Sequence, residues 1–134
     1  MNVVFDTNVL ISSTLWDKSV SQKLLFKLID SDIKIYTSKE IIQEYSKVIN
    51  RDFYYSQEEI SRVTSTLLPL LTNISPIEKL NVIKEDPDDN KIIECAIASK
   101  SDYIITYDKH LLKLQKFRDI IIIKPEEALK IFKL

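Results

Sequence analysis

The order of apolar segments predicts an α/β fold built on a parallel sheet. Short strand-like runs alternate with helix-like stretches along the chain. Carboxylates recur just beyond the ends of those runs, where open parallel sheets bind their ligands. With 134 residues the chain can bury one real core but not two, so a single domain over residues 1–134 is expected.

Each element has its own signal. Val3 to Phe5 is a short apolar run ending at Asp6. A helix is expected from about Ser19, because Val20, Leu24, Leu25, Leu28 and Ile29 fall at helical spacing. Ile33 to Tyr36 reads as the second strand. Thr37 and Glu40 then have the spacing of a capping box, opening a helix through about Ile49. A second capping pair, Ser56 and Glu59, opens a helix carrying Ile60, Val63 and Leu67, with Pro69 bending or ending it. From Thr72 to Pro87 the pattern is weakest, with room for a short strand near Ile74 or Val82. Beyond the acidic run Asp86-Pro87-Asp88-Asp89-Asn90, the residues Ile92, Ile93, Ala96 and Ile97 mark a buried helix. Tyr103 to Thr106 is a strand, Leu111 to Leu114 a short helix, and Ile120 to Ile123 an apolar strand. Pro125 suits the first position of a last helix that ends near Phe132.

Composition removes several kinds of chemistry. A chain 45% hydrophobic and 29% charged is globular rather than disordered. With no glycine there is no P-loop, no dinucleotide-binding GxGxxG and no Gly-x-Ser-x-Gly elbow. A lone cysteine, Cys95, excludes an internal disulfide and a Cys-based zinc site, and a lone histidine, His110, excludes a multi-His site. The net charge of -1 gives no general attraction to polyanions, so such a partner needs a local basic patch or metal ions. The start, MNVVFDTNVL, lacks the basic region of a signal peptide, and no apolar run approaches the ~20 residues that cross a bilayer. A cytoplasmic protein without membrane contact is the expectation.

What remains for chemistry is carboxylates, hydroxyls and lysines. Asp6 directly follows the first strand, Asp108 follows the strand ending at Thr106 after one residue, and Asp89 opens the helix before that strand. Helix capping accounts for any one of these alone, since aspartate is a favoured N-cap. Asp86 and Asp88, around Pro87, read as such caps. Glu44 shares the core face of its helix with Ile41, Tyr45 and Val48, where a carboxylate is costly unless paired; a salt bridge would satisfy it as well as a ligand would. Glu40 and Gln43 lie toward the outside. Were the four acids to meet at ~5 Å in an effective dielectric of ~20, each pair would repel by roughly 3 kcal/mol. Such a group takes up protons or binds a cation. Oxygen ligands without His or Cys select Mg²⁺ or Mn²⁺, which suits phosphodiester hydrolysis.

The chain resembles PIN-domain ribonucleases, and in particular the VapC-type toxins of toxin–antitoxin pairs. The matching pieces are Val4-Phe5-Asp6-Thr7-Asn8-Val9-Leu10, Glu44 on the helix after the second strand, and the block Asp86 to Leu112, DPDDNKIIECAIASKSDYIITYDKHLL. The resemblance covers essentially the whole chain. It implies a three-layer α/β/α domain with a five-stranded parallel sheet. By motif position it makes Asp6 and Asp89 direct metal ligands, with Asp108 completing the metal site. Glu44 would orient or deprotonate the attacking water, and Asn8 and Thr106 would support these groups by hydrogen bonds. It further implies hydrolysis of single-stranded RNA to a 5′-phosphate, a homodimer, and an antitoxin whose tail fills the active-site groove. A non-toxin RNA-processing nuclease and a non-catalytic binding module in an RNA assembly are the alternatives.

Other residues carry two readings each. Lys109, Lys113 and Lys116 form a basic stripe just after Asp108, either an RNA-phosphate contact or a solvated face. Arg51, Phe53, Tyr54 and Tyr55 combine charge and aromatics as stacking platforms do, but such clusters more often pack a helix corner or a dimer seam. Glu94 is either a fifth acid or a solvent-facing one. His110 reads as a surface residue, Cys95 and Trp16 as packing.

Overall fold

The computed structural model describes residues 1–132. In chain order the elements are β1 (Asn2–Phe5), α1 (Thr7–Leu15), α2 (Val20–Asp30), β2 (Lys34–Thr37), α3 (Lys39–Phe53), α4 (Gln57–Leu67), β3 (Thr72–Asn73), α5 (Asn90–Ala98), β4 (Tyr103–Ile105), α6 (Lys109–Leu114), β5 (Lys116–Phe117), β6 (Ile120–Ile123) and α7 (Pro125–Ile131). Single 3₁₀ turns cover Leu68–Leu70 and Pro87–Asp89. The strands lie in the order β3-β2-β1-β4-β6-β5, with helices on both faces in three α/β/α layers.

Among the described residues the sheet has six strands, against the expected five. Five of them, β3, β2, β1, β4 and β6, run parallel; β5 is added at the edge, antiparallel to β6 through Lys116↔Ile121 and Phe117↔Ile120. A two-residue strand that begins with a lysine has no apolar run to announce it. The inner strand β1 is covered on both faces, so Val3, Val4 and Phe5 are all buried. The core joins these to Leu24, Leu25 and Leu28 of α2, Ile41, Tyr45 and Ile49 of α3, and Ile92, Ile93 and Cys95 of α5.

The hydroxyl caps of α2, α3 and α4 follow the sequence closely, with one shift. Ser19 caps α2 by accepting from the Gln22 N–H, and the Ser56–Glu59 box is fully formed at α4. The cap of α3 is Ser38 rather than Thr37, because Thr37 is taken up in β2 and its hydroxyl is buried without a partner. α3 runs on to Phe53, four residues beyond Ile49, and Tyr54 ends it with φ 60°. α1 is the helix that periodicity missed. It is buried at Thr7, Val9, Leu10, Ile11 and Ser13, so it shows no amphipathic stripe.

In the absence of glycine, six described residues adopt left-handed backbone: Lys18, Asp32, Tyr54, Lys100, Gln115 and Arg118, with φ between 53° and 64°. Each closes a turn at the end of an element. Among the described residues no helix is long and apolar enough to cross a membrane.

Candidate active site

Four of the singled-out acids meet. Asp6, Glu44, Asp89 and Asp108 line one cavity of about 290 Å³, together with Asp86, Thr7, Asn8 and Arg51. The parallel register puts the end of β1 beside the end of β4, pairing Phe5 with Ile105, so Asp6 and Asp108 emerge at the same sheet edge. α3 brings Glu44 and the 3₁₀ turn before α5 brings Asp89.

Asp6 is held on both oxygens. Its Oδ2 accepts from the Thr106 hydroxyl at 2.7 Å and its Oδ1 from the Thr7 N–H at 2.7 Å. The Thr106 hydroxyl in turn accepts from the Asp108 N–H at 2.9 Å, so one buried side chain locks the two aspartates together. Burial pushes the Asp6 carboxyl up to about 6; the bonds from Thr106 and Thr7 pull it down, and the charges of Asp108 and Glu44 add to the rise. Asp108 is a true helix cap, accepting from the N–H groups of His110 and Leu111 at 2.8 and 3.2 Å.

Asp89 behaves differently. It precedes α5 but makes no cap hydrogen bond, and its Oδ2 is buried with no partner among the described residues. Burial raises its carboxyl to about 7, followed by the charges of Asp108, Asp6, Asp86 and Glu44. A buried carboxylate oxygen without a donor is expensive unless something positive reaches it.

Glu44 is paired on both oxygens. Oε1 accepts from the Thr7 hydroxyl and Oε2 from Lys91 Nζ at 2.9 Å, a half-buried ion pair. The salt bridge that could satisfy this acid therefore exists, yet Glu44 still faces the cavity. Glu40 and Gln43 are exposed as expected.

Three participants were not expected at the site from sequence. Asp86 makes no cap bond, contrary to its expected role, and offers an oxygen within 4.8 Å of ligand atoms from Asp89, Asp108 and His110. His110, expected at the surface, is half-buried, with Nδ1 3.9 Å from Asp108 Oδ1. Thr7 ties Asp6 to Glu44; its place between Asp6 and Asn8 was the available signal. The close cluster of Asp86, Asp89, Asp108 and His110 and the cavity around Asp6 and Glu44 share Asp86, Asp89 and Asp108. The unpartnered Asp89 oxygen and the raised Asp6 and Asp89 carboxyls, all oxygen donors, fit a hard divalent cation.

The remaining residues fall elsewhere. Asn8 is exposed at the cavity's edge. Lys109, Lys113 and Lys116 are exposed but line neither this cavity nor the groove of about 780 Å³ beside it. That groove shares Glu44, Val48 and Arg51 with the cavity and carries Lys47, Lys79 and Lys91. Arg51 pairs with Asp52 at 2.7 Å, and Phe53 stacks edge-on against Trp16 at 5.6 Å. Tyr54 is exposed and Tyr55 packs on the core. Glu94 takes neither expected place: it is buried and accepts from the Leu80 N–H at 2.9 Å. Cys95 is fully buried, as a packing residue should be.

No curated protein sequence matches the chain. Among solved structures, it is similar to VapBC2 from Rickettsia felis bound to a DNA fragment from their promoter, with TM-score 0.68 and 16% identity over 91% of this chain and 97% of that one. VapBC-1 from nontypeable Haemophilus influenzae gives TM-score 0.68 and 17% identity over 94% and 99%. FitAcB from Neisseria gonorrhoeae gives 0.60 and 18% over 92% and 98%. At such identities these likenesses speak for the fold. The PIN domain matches residues 2–110 in sequence, most of the chain, and the structure carries the same architecture. The chain belongs to the PIN domain family.

Proposed function

We propose that this protein is an endoribonuclease that hydrolyses single-stranded RNA with Mg²⁺ or Mn²⁺, and that it is the cytoplasmic toxin of a toxin–antitoxin pair acting as a homodimer. The observation that carries the reading is the buried, unpartnered Asp89 Oδ2 in a cavity lined by acids from separate segments. The similar solved structures named VapBC support a cognate antitoxin as partner.

Asp6, Asp89 and Asp108 would hold the cation, with Thr106 keeping the first and last in register. When bound, the cation supplies charge to offset that building on the phosphorus oxygens and lowers the pKa of water. Glu44 accepts the proton of the attacking water, whose oxygen bonds to phosphorus as the bond to the 3′ oxygen breaks; the 3′ oxygen takes a proton from solvent, leaving a 3′-hydroxyl and a 5′-phosphate. Lys91 and Thr7 hold Glu44 in place until then. Asn8, which lines the cavity, would hydrogen-bond a water or a phosphate oxygen.

The test is cleavage of unstructured RNA with Mn²⁺ or Mg²⁺, beside the Asp6→Asn variant. Wild-type protein cuts and the variant does not; equal cleavage by both refutes the assignment.

A further inference from the structure

Residues 74–86, between β3 and the 3₁₀ turn before α5, contain no helix or strand, yet they carry Asp86 to the acidic cavity. Beyond Ile74, whose N–H still reaches the Thr37 carbonyl at 2.9 Å, the stretch lies outside the sheet ladder, so its backbone groups must find other partners. They find two side chains on α5. The Asn90 amide is buried and saturated. Its Oδ1 accepts from the N–H groups of Val82 and Ile83 at 2.9 and 2.8 Å, and its Nδ2 donates to the carbonyls of Ile83 and Pro87 at 3.1 and 3.0 Å. Two N–H groups on one side and two carbonyls on the other leave the amide one orientation. One turn further along α5, Glu94 takes the Leu80 N–H. Asp86 thus sits between two clamped points, Ile83 and Pro87. Its own carbonyl accepts from the Asp89 N–H at 3.0 Å, which ties it to the next acid.

We propose that Asn90 and Glu94 are positioning residues for the cation site: they clamp residues 80–87 onto α5 and so hold the Asp86 carboxylate beside Asp89. This rests on the cation reading of the cavity and deepens it. Neither side chain lines the acidic cavity, so both act through Asp86. Supports of this kind typically govern metal affinity by about 10–100-fold.

The experiment titrates Mn²⁺ into RNA-free protein, following free Mn²⁺ by electron paramagnetic resonance at a temperature where circular dichroism shows every variant folded. Asn90→Ala weakens Mn²⁺ binding at least tenfold and Glu94→Ala weakens it less. Glu94→Gln, which keeps an acceptor for the Leu80 N–H, binds as wild type does. Asp86→Asn also weakens binding, but adds little in the Asn90→Ala background, because the clamp acts through that residue. Ile93→Val, a core change on the same helix, lowers thermal stability and leaves Mn²⁺ affinity alone. Should Asn90→Ala not fold, Glu94→Ala and Asp86→Asn carry the test. Folded clamp variants with wild-type affinity, or a loss matched by Ile93→Val, overturn the proposal. Wild-type protein that takes no Mn²⁺ removes this proposal and the cation reading together. Mn²⁺ binding without RNA cleavage removes the nuclease reading alone.

Discussion

Replacing Asp6 by asparagine removes a proposed ligand, yet the metal-free protein becomes more stable at alkaline pH. The Asp6 carboxyl is raised from an ordinary 3.8 to about 6, chiefly by burial, so ionising it in the folded chain costs about 3 kcal/mol. Asparagine escapes that penalty. Its oxygen still accepts from the Thr7 N–H, but its NH₂ meets a Thr106 hydroxyl already engaged by Asp108, at a loss of about 1 kcal/mol. The net gain is about 2 kcal/mol at pH 8. The sign follows from proton uptake: with a raised carboxyl the native state holds the proton longer, so wild-type stability falls as pH climbs from about 4 through 6. At pH 4 both forms are neutral at this position and the variant's advantage is gone. Urea melts in EDTA at pH 4, 6 and 8 read the difference directly. Mn²⁺ at about 100 times its Kd then adds about 2.7 kcal/mol to the wild type alone and reverses the order. A variant that is less stable than wild type in EDTA at pH 8 by as much as at pH 4 would refute the reasoning.

With Asp89 raised to about 7 and Asp6 to about 6, cation binding must displace protons. Mn²⁺ affinity should therefore rise between pH 5 and 8, with proton release detected by calorimetry in buffers of different ionisation enthalpy; a flat profile would contradict the placement of these acids. Lys91→Met removes the cation from a half-buried pair with Glu44 and should cost about 1 kcal/mol, most of it absent when Glu44→Gln is already in place. Full additivity in that cycle would mean the pair contributes nothing. Lys109→Ala or Lys113→Ala should weaken RNA binding and flatten its salt dependence by about 0.7 per lost phosphate contact if the stripe touches RNA. An unchanged slope leaves those lysines as a solvated face.

Most of the scaffold was readable because its signals are local. Ser19, Ser56 and Glu59 announce their caps, and Ile120 to Ile123 cannot be other than buried over most of their length. α1 escaped because Ser12, Ser13 and Thr14 break its apolar pattern, each bonding back to a carbonyl of its own helix. At the site, Asp6 and Asp108 were visible from their places after strands, and Glu44 from its helix face. Asp86 and His110 were not, since a proline-flanked acid looks like a cap and a lone histidine looks idle until the fold sets them within 4.8 Å of Asp89 and Asp108. Glu94 was legible as an acid but not in its partner, the Leu80 N–H fourteen positions earlier.

The left-handed turns at Lys18, Asp32, Tyr54, Lys100, Gln115 and Arg118 bear on how the protein meets heat. Each strains the native backbone by about 1–2 kcal/mol, where glycine would sit without strain. A polypeptide without glycine is also stiffer once denatured, and so has less disorder to gain on melting. The strain is roughly indifferent to temperature, while the withheld disorder counts in proportion to it. Glycine at Tyr54 or Gln115 should therefore be near neutral in the cold and turn harmful as the sample warms.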